Sequence, residues 1–246
     1  MDVNKVQKMV TEFFSSYELV QKNVGTQLNL CEKKILKKTL FPNSHILDVA
    51  CGWGRISIPL AKMGHFVVGV DISPYMIKTA KQKAKKENLK NVRFYCKDIL
   101  KFNFKKRFFD FILIFESSLE HIPSNKKREK ILMKLCKLLK PEGLLITSFH
   151  SYFFPFKEFL RLQIQNIRNL INRKYEMNDI TINNLYTHFF THFEIERLFK
   201  KIGFKKIQTF PINLLYKKKN RFKSPKIYIF FKMFIYNFWI FKKVRN

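Results

Sequence analysis

Five short apolar runs separated by lysine-rich segments dominate the first 150 residues. "HILDVA" (45–50), "FVVGV" (66–70), "NVRFYC" (91–96), "DFILIF" (110–115) and "GLLITSF" (143–149) are mostly apolar, the pattern of strands buried on both faces. Residues 31–40, "CEKKILKKTL", predict a helix closed by Phe41-Pro42-Asn43. Residues 53–63 have helical spacing, although Pro59 falls inside them and strains the assignment. Ser73 and Pro74 supply an N-cap and a first-turn proline for a lysine-rich helix over 74–87. Ile131, Leu132, Leu135, Leu138 and Leu139 share one face of a helix over 126–140, which Pro141 is expected to stop. Strands alternating with helices imply a parallel sheet covered on both faces, with ligands beyond the carboxyl ends of its strands.

The regularity lapses elsewhere. Residues 1–30 read as helical with a break near Gly25, and residues 151–186 combine the aromatic "SYFFPF", a helical stretch near 157–173 and an Asn-rich piece. "HFEIERLFKKIGF" predicts a helix ending at Gly203 and a strand near 204–210. With neither an internal repeat nor a Gly/Ser-rich linker, the chain reads as one domain. Cap helices cover 1–44, the core covers 45–150, an insertion that caps the substrate covers 151–190, and a C-terminal helix with strands covers 191–246.

Composition adds one ambiguity. Lys and Arg number 48 against 18 Asp and Glu, a net charge of +30 in 246 residues. Such an excess suits a nucleic acid or an anionic membrane. It also accompanies 28 Phe in a chain rich in Lys, Ile and Asn, as biased codon composition produces whatever the function. The lysines are spread along the chain, although Glu196 is its last acidic residue. Cys31, Cys51, Cys96 and Cys136 form no C-x-x-C pair, which argues against a zinc site or a disulfide framework and fits a reducing, cytoplasmic location. No apolar run is long enough to cross a membrane, and the first residues do not read as a secretory signal.

The motifs carry the chemistry. Gly52 and Gly54, after the first strand, allow a tight turn and close approach of backbone to a ligand. Asp71 ends the second strand, where a carboxylate can accept two ribose hydroxyls. "ILDVACGWGRISIPLA", "GVDISPYMIKTAKQKA", "CKDIL", "FDFILIFESSLEHI" and "LLKPEGLLITSF" together resemble the successive motifs of class I S-adenosylmethionine-dependent methyltransferases over residues 31–150, and more loosely over 186–210. The resemblance implies an α/β, Rossmann-like fold: a seven-stranded, mostly parallel sheet with helices on both faces and a helical, aromatic cap. The last strand, near "FWIFKK", would run antiparallel between the fifth and sixth. It also implies S-adenosylmethionine as cofactor, held by Asp48, Ala50, Gly52, Gly54, Arg55, Asp71, Ile72, Met76, Asp98, Ile99 and Glu116. Asp48 would bind loop amides or face the cofactor's amino group, Asp98 would take the adenine amine, and Ile99 would pack beside the ring. Ala50 replaces the family's first loop glycine. Arg55 reads either as a helix-start contact or as a tie to the cofactor carboxylate.

Methyl transfer to a hydroxyl needs alignment and removal of a proton. His121 in "LEHIP" is the first candidate for the base and His150 the second. "EHI" resembles ubiquinone-type O-methyltransferases, where two glutamates and a histidine hold a metal. Here three residues rather than two separate Glu116 from Glu120, turning one helical glutamate by about 100° from the other, so no metal is expected. His188 and His192 lie one helical turn apart with no third ligand in view. Tyr152, Phe153 and Tyr186 are candidates to touch the acceptor, expected to be a small, apolar or aromatic molecule with a hydroxyl oxygen. An RNA acceptor is the alternative, since "LYTHFFTHFEIERLFKKIGF" distantly resembles tRNA wobble-uridine methyltransferases. The tail "KIYIFFKMFIYNFWIFKK" allows a weak membrane-surface contact.

Overall fold

The computed structural model describes residues 27–150, 178–182, 185–211 and 236–244, with helical residues at 6, 8–12, 164–165, 167–168 and 171. Helix α1 (Leu30–Thr39) begins with a capping box, in which Asn29 accepts from the Glu32 amide and Glu32 from the Asn29 amide, both at 2.8 Å. Strand β1 (His45–Val49), helix α2 (Ser57–Lys62), strand β2 (Phe66–Asp71), helix α3 (Pro74–Lys86) and strand β3 (Val92–Cys96) form the first half of the sheet. Strand β4 (Phe109–Ile114), a short 3-10 turn (Ser118–His121), helix α4 (Asn125–Leu138) and strand β5 (Leu139–His150) continue it. A small hairpin of β6 (Asp179–Ile182) and β7 (Leu185–His188) precedes helix α5 (His192–Ile202), strand β8 (Phe204–Pro211) and strand β9 (Tyr236–Lys243).

The sheet has seven strands in the order β3-β2-β1-β4-β5-β9-β8. The chain starts at β1, goes outward to β3, and returns to β4 on the other side of β1. That reversal opens a crevice at the carboxyl ends of β1 and β4. Strand β9 pairs antiparallel with both β5 and β8, as the sequence resemblance implied. Alternate strand residues feed opposite layers. Leu47, Val68, Ile112 and Leu145 pack with α4 and α5, while Ile46, Val67, Phe111 and Ile146 pack with α1 and α2. Asp48 lies two residues from Ile46 and therefore faces the α1–α2 layer.

Two boundaries depart from expectation. Residues 52–56 form turns and the helix starts only at Ser57, so Pro59 falls in its first turn, where a missing N–H removes no intrahelical bond. Pro141 does not stop the preceding helix. That helix ends at Leu138, and Pro141 lies inside β5, where the register against β4 shifts between Phe109 and Phe111. An irregularity of this kind tolerates a residue that cannot donate to the ladder. Gly203 ends α5 with φ +94°, the left-handed cap expected of it.

Candidate functional site

The loop after β1 runs along the carboxyl edge of the sheet. Ala50 (φ +57°), Gly52 (φ +52°) and Gly54 (φ +82°) all take left-handed conformations. Ala50 occupies a region that favours glycine, tolerable for the smallest side chain with a Cβ. Gly54 faces inward, and a Cβ there would come within 3.0 Å of the Phe94 ring. It lets the loop settle on the core and is not part of the cavity wall. Strand β2 is equally tight at Gly69, where a Cβ would stand 2.6 Å from Phe94 and 2.8 Å from the Cys51 sulfur.

Asp71 holds the loop. One of its oxygens accepts the Gly52 amide at 2.9 Å and the other the Ser73 amide at 2.8 Å. Burial raises its pKa, against those same amide bonds. Asp48, expected to bind loop amides or to face the cofactor's amino group, accepts the Ser57 hydroxyl at 2.6 Å and so ties β1 to the first residue of α2. It is 2% exposed. Burial pushes its pKa up to about 7, against the Ser57 hydrogen bond and the charge of Arg55. A cation in the space beside it would favour its ionised form.

That space is a cavity of about 470 Å³ at the switch point. Asp48, Ala50, Gly52, Arg55, Asp71, Ile72, Met76, Glu116 and His121, named from the sequence, all line it. Residues from the N-terminal helical piece (Val10, Thr11) and from the loop after β4 (Phe115, Ser118, Ile122, Pro123) complete it. Their sequence context marked none of these as a ligand contact. Asp98 and Ile99 line a smaller adjoining cavity of about 110 Å³, which shares Ala50, Asp71 and Ile72 with the larger one. Trp53 belongs to the larger wall, and its buried indole N–H has no hydrogen-bond partner among the described residues.

Arg55 sits between two carboxylates. Its guanidinium grips Glu32 of α1 through both terminal nitrogens, at 2.8 and 2.7 Å, and also pairs with Glu116. Burial alone would lower the Arg55 pKa, but the Glu32 hydrogen bonds and the Glu116 charge raise it. Arg55 therefore joins the N-terminal helix to the cavity wall. Glu116 is 64% exposed at its side chain, whereas Glu120 is fully buried. The two glutamates occupy opposite environments, and no group of three metal-ligating side chains occurs among the described residues.

His121 ends the 3-10 turn with its Nδ1 2.9 Å from the Tyr186 carbonyl oxygen. A carbonyl can only accept, so Nδ1 carries the proton and Nε2 is the basic nitrogen. Tyr186, expected at the acceptor, is fully buried away from the cavity, its hydroxyl held by Asp179 and Arg128. His188 and His192 do not share a helical face, because His188 closes β7 and His192 opens α5. The main chain of His150 ends β5 beside β9. Its side chain, together with Tyr152 and Phe153, lies outside the described residues.

A family model described as a methyltransferase domain matches residues 46–143. The ubiquinone biosynthesis O-methyltransferase of Coxiella burnetii is 36% identical over 116 residues, 47% of each protein. The chain thus spans about half the length of the curated relatives it matches first. Among solved structures, a SAM-dependent methyltransferase from Methanosarcina mazei superposes with a TM-score of 0.69 at 20% identity, covering 89% of this chain and all of that one. The 1,6-didemethyltoxoflavin-N1-methyltransferase of Burkholderia thailandensis, solved with bound 1,6-didemethyltoxoflavin and S-adenosylhomocysteine, gives 0.67 at 16% identity. That match covers all of this chain and 92% of the other.

Proposed function

We propose that this chain, which belongs to the class I S-adenosylmethionine-dependent methyltransferase family, binds S-adenosylmethionine in the cleft and methylates a small-molecule acceptor at a hydroxyl oxygen. When bound, the cofactor supplies a methyl group on a cationic sulfur, which leaves as a neutral thioether. Asp71 accepts the Gly52 and Ser73 amides on different oxygens, and a carboxylate has lone pairs for further donors, so it can also take the hydroxyls of a ribose. Asp98 and Ile99 offer a polar edge and an apolar face to an adenine in the smaller cavity. Asp48 can receive the cofactor's amino group, whose positive charge favours ionisation of the buried acid. His121 Nε2 takes the hydroxyl proton of the acceptor, in reach of the same cavity.

The observation that carries the small-molecule reading is the wall itself. Val10, Ile56, Met76, Phe115, Ile122 and Pro123 make most of the larger cavity's wall apolar, and Arg55, the one Lys or Arg on it among the described residues, is engaged by two carboxylates. A concave apolar site with few polar groups suits a compact organic molecule, whereas RNA requires cations open to phosphate. The O-methyltransferase relative supports oxygen as the acceptor atom, and the toxoflavin neighbour is named for transfer to nitrogen.

The test has two stages. Calorimetry should detect S-adenosylmethionine binding to the wild type and a loss of tenfold or more in Asp71→Asn, which keeps one acceptor oxygen but not the charge. Hydrogen bonds to a charged group contribute about 1.5–3 kcal/mol each. Absence of binding to the wild-type chain would sink the reading. Transfer of labelled methyl from the cofactor into small-molecule and RNA fractions of an extract then decides the acceptor class.

A further inference from the structure

Beneath His121 lies a polar cluster that the methyl-transfer chemistry does not itself require. Arg128 of α4, Asp179 of β6, and Tyr186 and His188 of β7 are all 3% exposed or less. One Asp179 oxygen accepts the Tyr186 hydroxyl and His188 Nδ1, each at 2.7 Å, and lies 3.9 Å from an Arg128 terminal nitrogen. The same nitrogen donates to the Tyr186 hydroxyl at 3.0 Å. On its other side His188 reaches Glu194 of α5 at 3.0 Å, and Glu194 in turn caps that helix with Thr191. Burial alone would lower the His188 pKa, but the bonds to Asp179 and Glu194 raise it. The Arg128 guanidinium lies 5.1 Å over the Phe190 ring. Well-packed apolar residues can hold such a position with equal stability, so a buried charged cluster is better explained by the single arrangement it enforces.

That arrangement has one visible output. Strand β7 is paired to β6 through Thr181 and Tyr186 and fixed from below by the phenol of Tyr186, while the Tyr186 carbonyl meets His121 Nδ1 at 2.9 Å. We propose that Tyr186 is a positioning residue. Anchored by Asp179 and Arg128, its carbonyl fixes the His121 proton on Nδ1 and reserves Nε2 as the base. An imidazole in water prefers the opposite tautomer, with the proton on Nε2, so the preference is one the fold must impose. The inference rests on His121 serving as the base of the reaction above.

The test reads the tautomer directly and requires no acceptor. In protein labelled with ¹⁵N-histidine, long-range ¹H–¹⁵N correlation spectra distinguish Nδ1–H from Nε2–H, and His121→Gln identifies the resonance. The wild type should show Nδ1–H at His121. Asp179→Asn and Tyr186→Phe should each shift the population toward Nε2–H, with the S-adenosylmethionine affinity unchanged. If Asp179→Asn does not fold, Tyr186→Phe decides the matter, because it keeps the ring and the carbonyl and removes only the anchoring hydroxyl. An Nε2–H tautomer in the wild type, or a His121 spectrum unchanged in folded variants, overturns the proposal. Failure of the wild type to bind S-adenosylmethionine would instead remove the methyltransferase reading and leave the tautomer result standing.

Discussion

Removing the Arg55 guanidinium should cost more stability than its position at a cavity wall suggests. Glu32 is 2% exposed and takes both terminal nitrogens of Arg55, whose own side chain is 15% exposed. In Arg55→Met the stem still packs, but Glu32 remains as a buried carboxylate with the Asn29 amide as its named support. Breaking one side of a buried pair costs about 3–5 kcal/mol. Contact of Arg55 with the cavity argues for the lower end, about 3 kcal/mol. At about 2–4 °C per kcal/mol for a domain of this size, the melting temperature should fall by about 6–12 °C. Adding Glu32→Gln removes the stranded charge while keeping an acceptor for the Asn29 amide. The double variant should therefore recover roughly 2 kcal/mol relative to Arg55→Met, a coupling that urea denaturation in a double-mutant cycle can measure. Glu116→Gln is the control, because that carboxylate is 64% exposed and such pairs contribute about 0–1 kcal/mol. The reasoning fails if Arg55→Met costs under about 1 kcal/mol, or if the two changes simply add.

Other outcomes follow from the same residues. The folded chain holds a proton on Asp48 up to about pH 7, against 3.8 for the ordinary group. Stability should therefore fall as pH rises through that window, by up to about 4 kcal/mol. Asp48→Asn should flatten this slope in pH-dependent melting while weakening cofactor affinity at pH 8, and a slope identical to wild type would contradict the assignment. His188 works in the same sense at higher pH. Its raised pKa gives a contribution complete below pH 6.5 and lost as pH rises through the folded value, so His188→Gln should narrow the stability difference between pH 6 and pH 9. Gly69→Ala should destabilise by about 1–3 kcal/mol in urea melts, since its Cβ meets Phe94 and Cys51 below 3 Å.

The sequence placed residues at one edge of the cleft because that edge is built from local rules. Strand ends are set by runs such as "HILDVA", and the small residues and acids that follow them sit one to three positions later. Knowing the strands places Ala50, Gly52, Asp71 and Asp98 on one edge of the sheet, as observed. Division of labour between the acids was not legible. Asp48 lies one residue before the end of β1 and Asp71 ends β2, yet one holds a helix start and the other a loop amide. The choice depends on where Ser57 and Gly52 come to rest. Pro141 misled for a related reason: the chain left the helix two residues early because pairing with β4 claimed Leu139.

By itself, then, the sequence determined the alternation of elements, the parallel sheet, the antiparallel last strand and the family of the cofactor motifs. The first two follow from periodicity along the chain, and the last two rest on the resemblance to a known family. Tertiary structure alone decided which charges meet. Arg55 found Glu32 across 23 residues, and His121 found Tyr186 across 65. Arg128, Asp179, His188 and Glu194 came together from four separate elements. A polar side chain in a linear pattern carries no mark of its partner. Only packing removes it from water, and that removal makes the partner necessary.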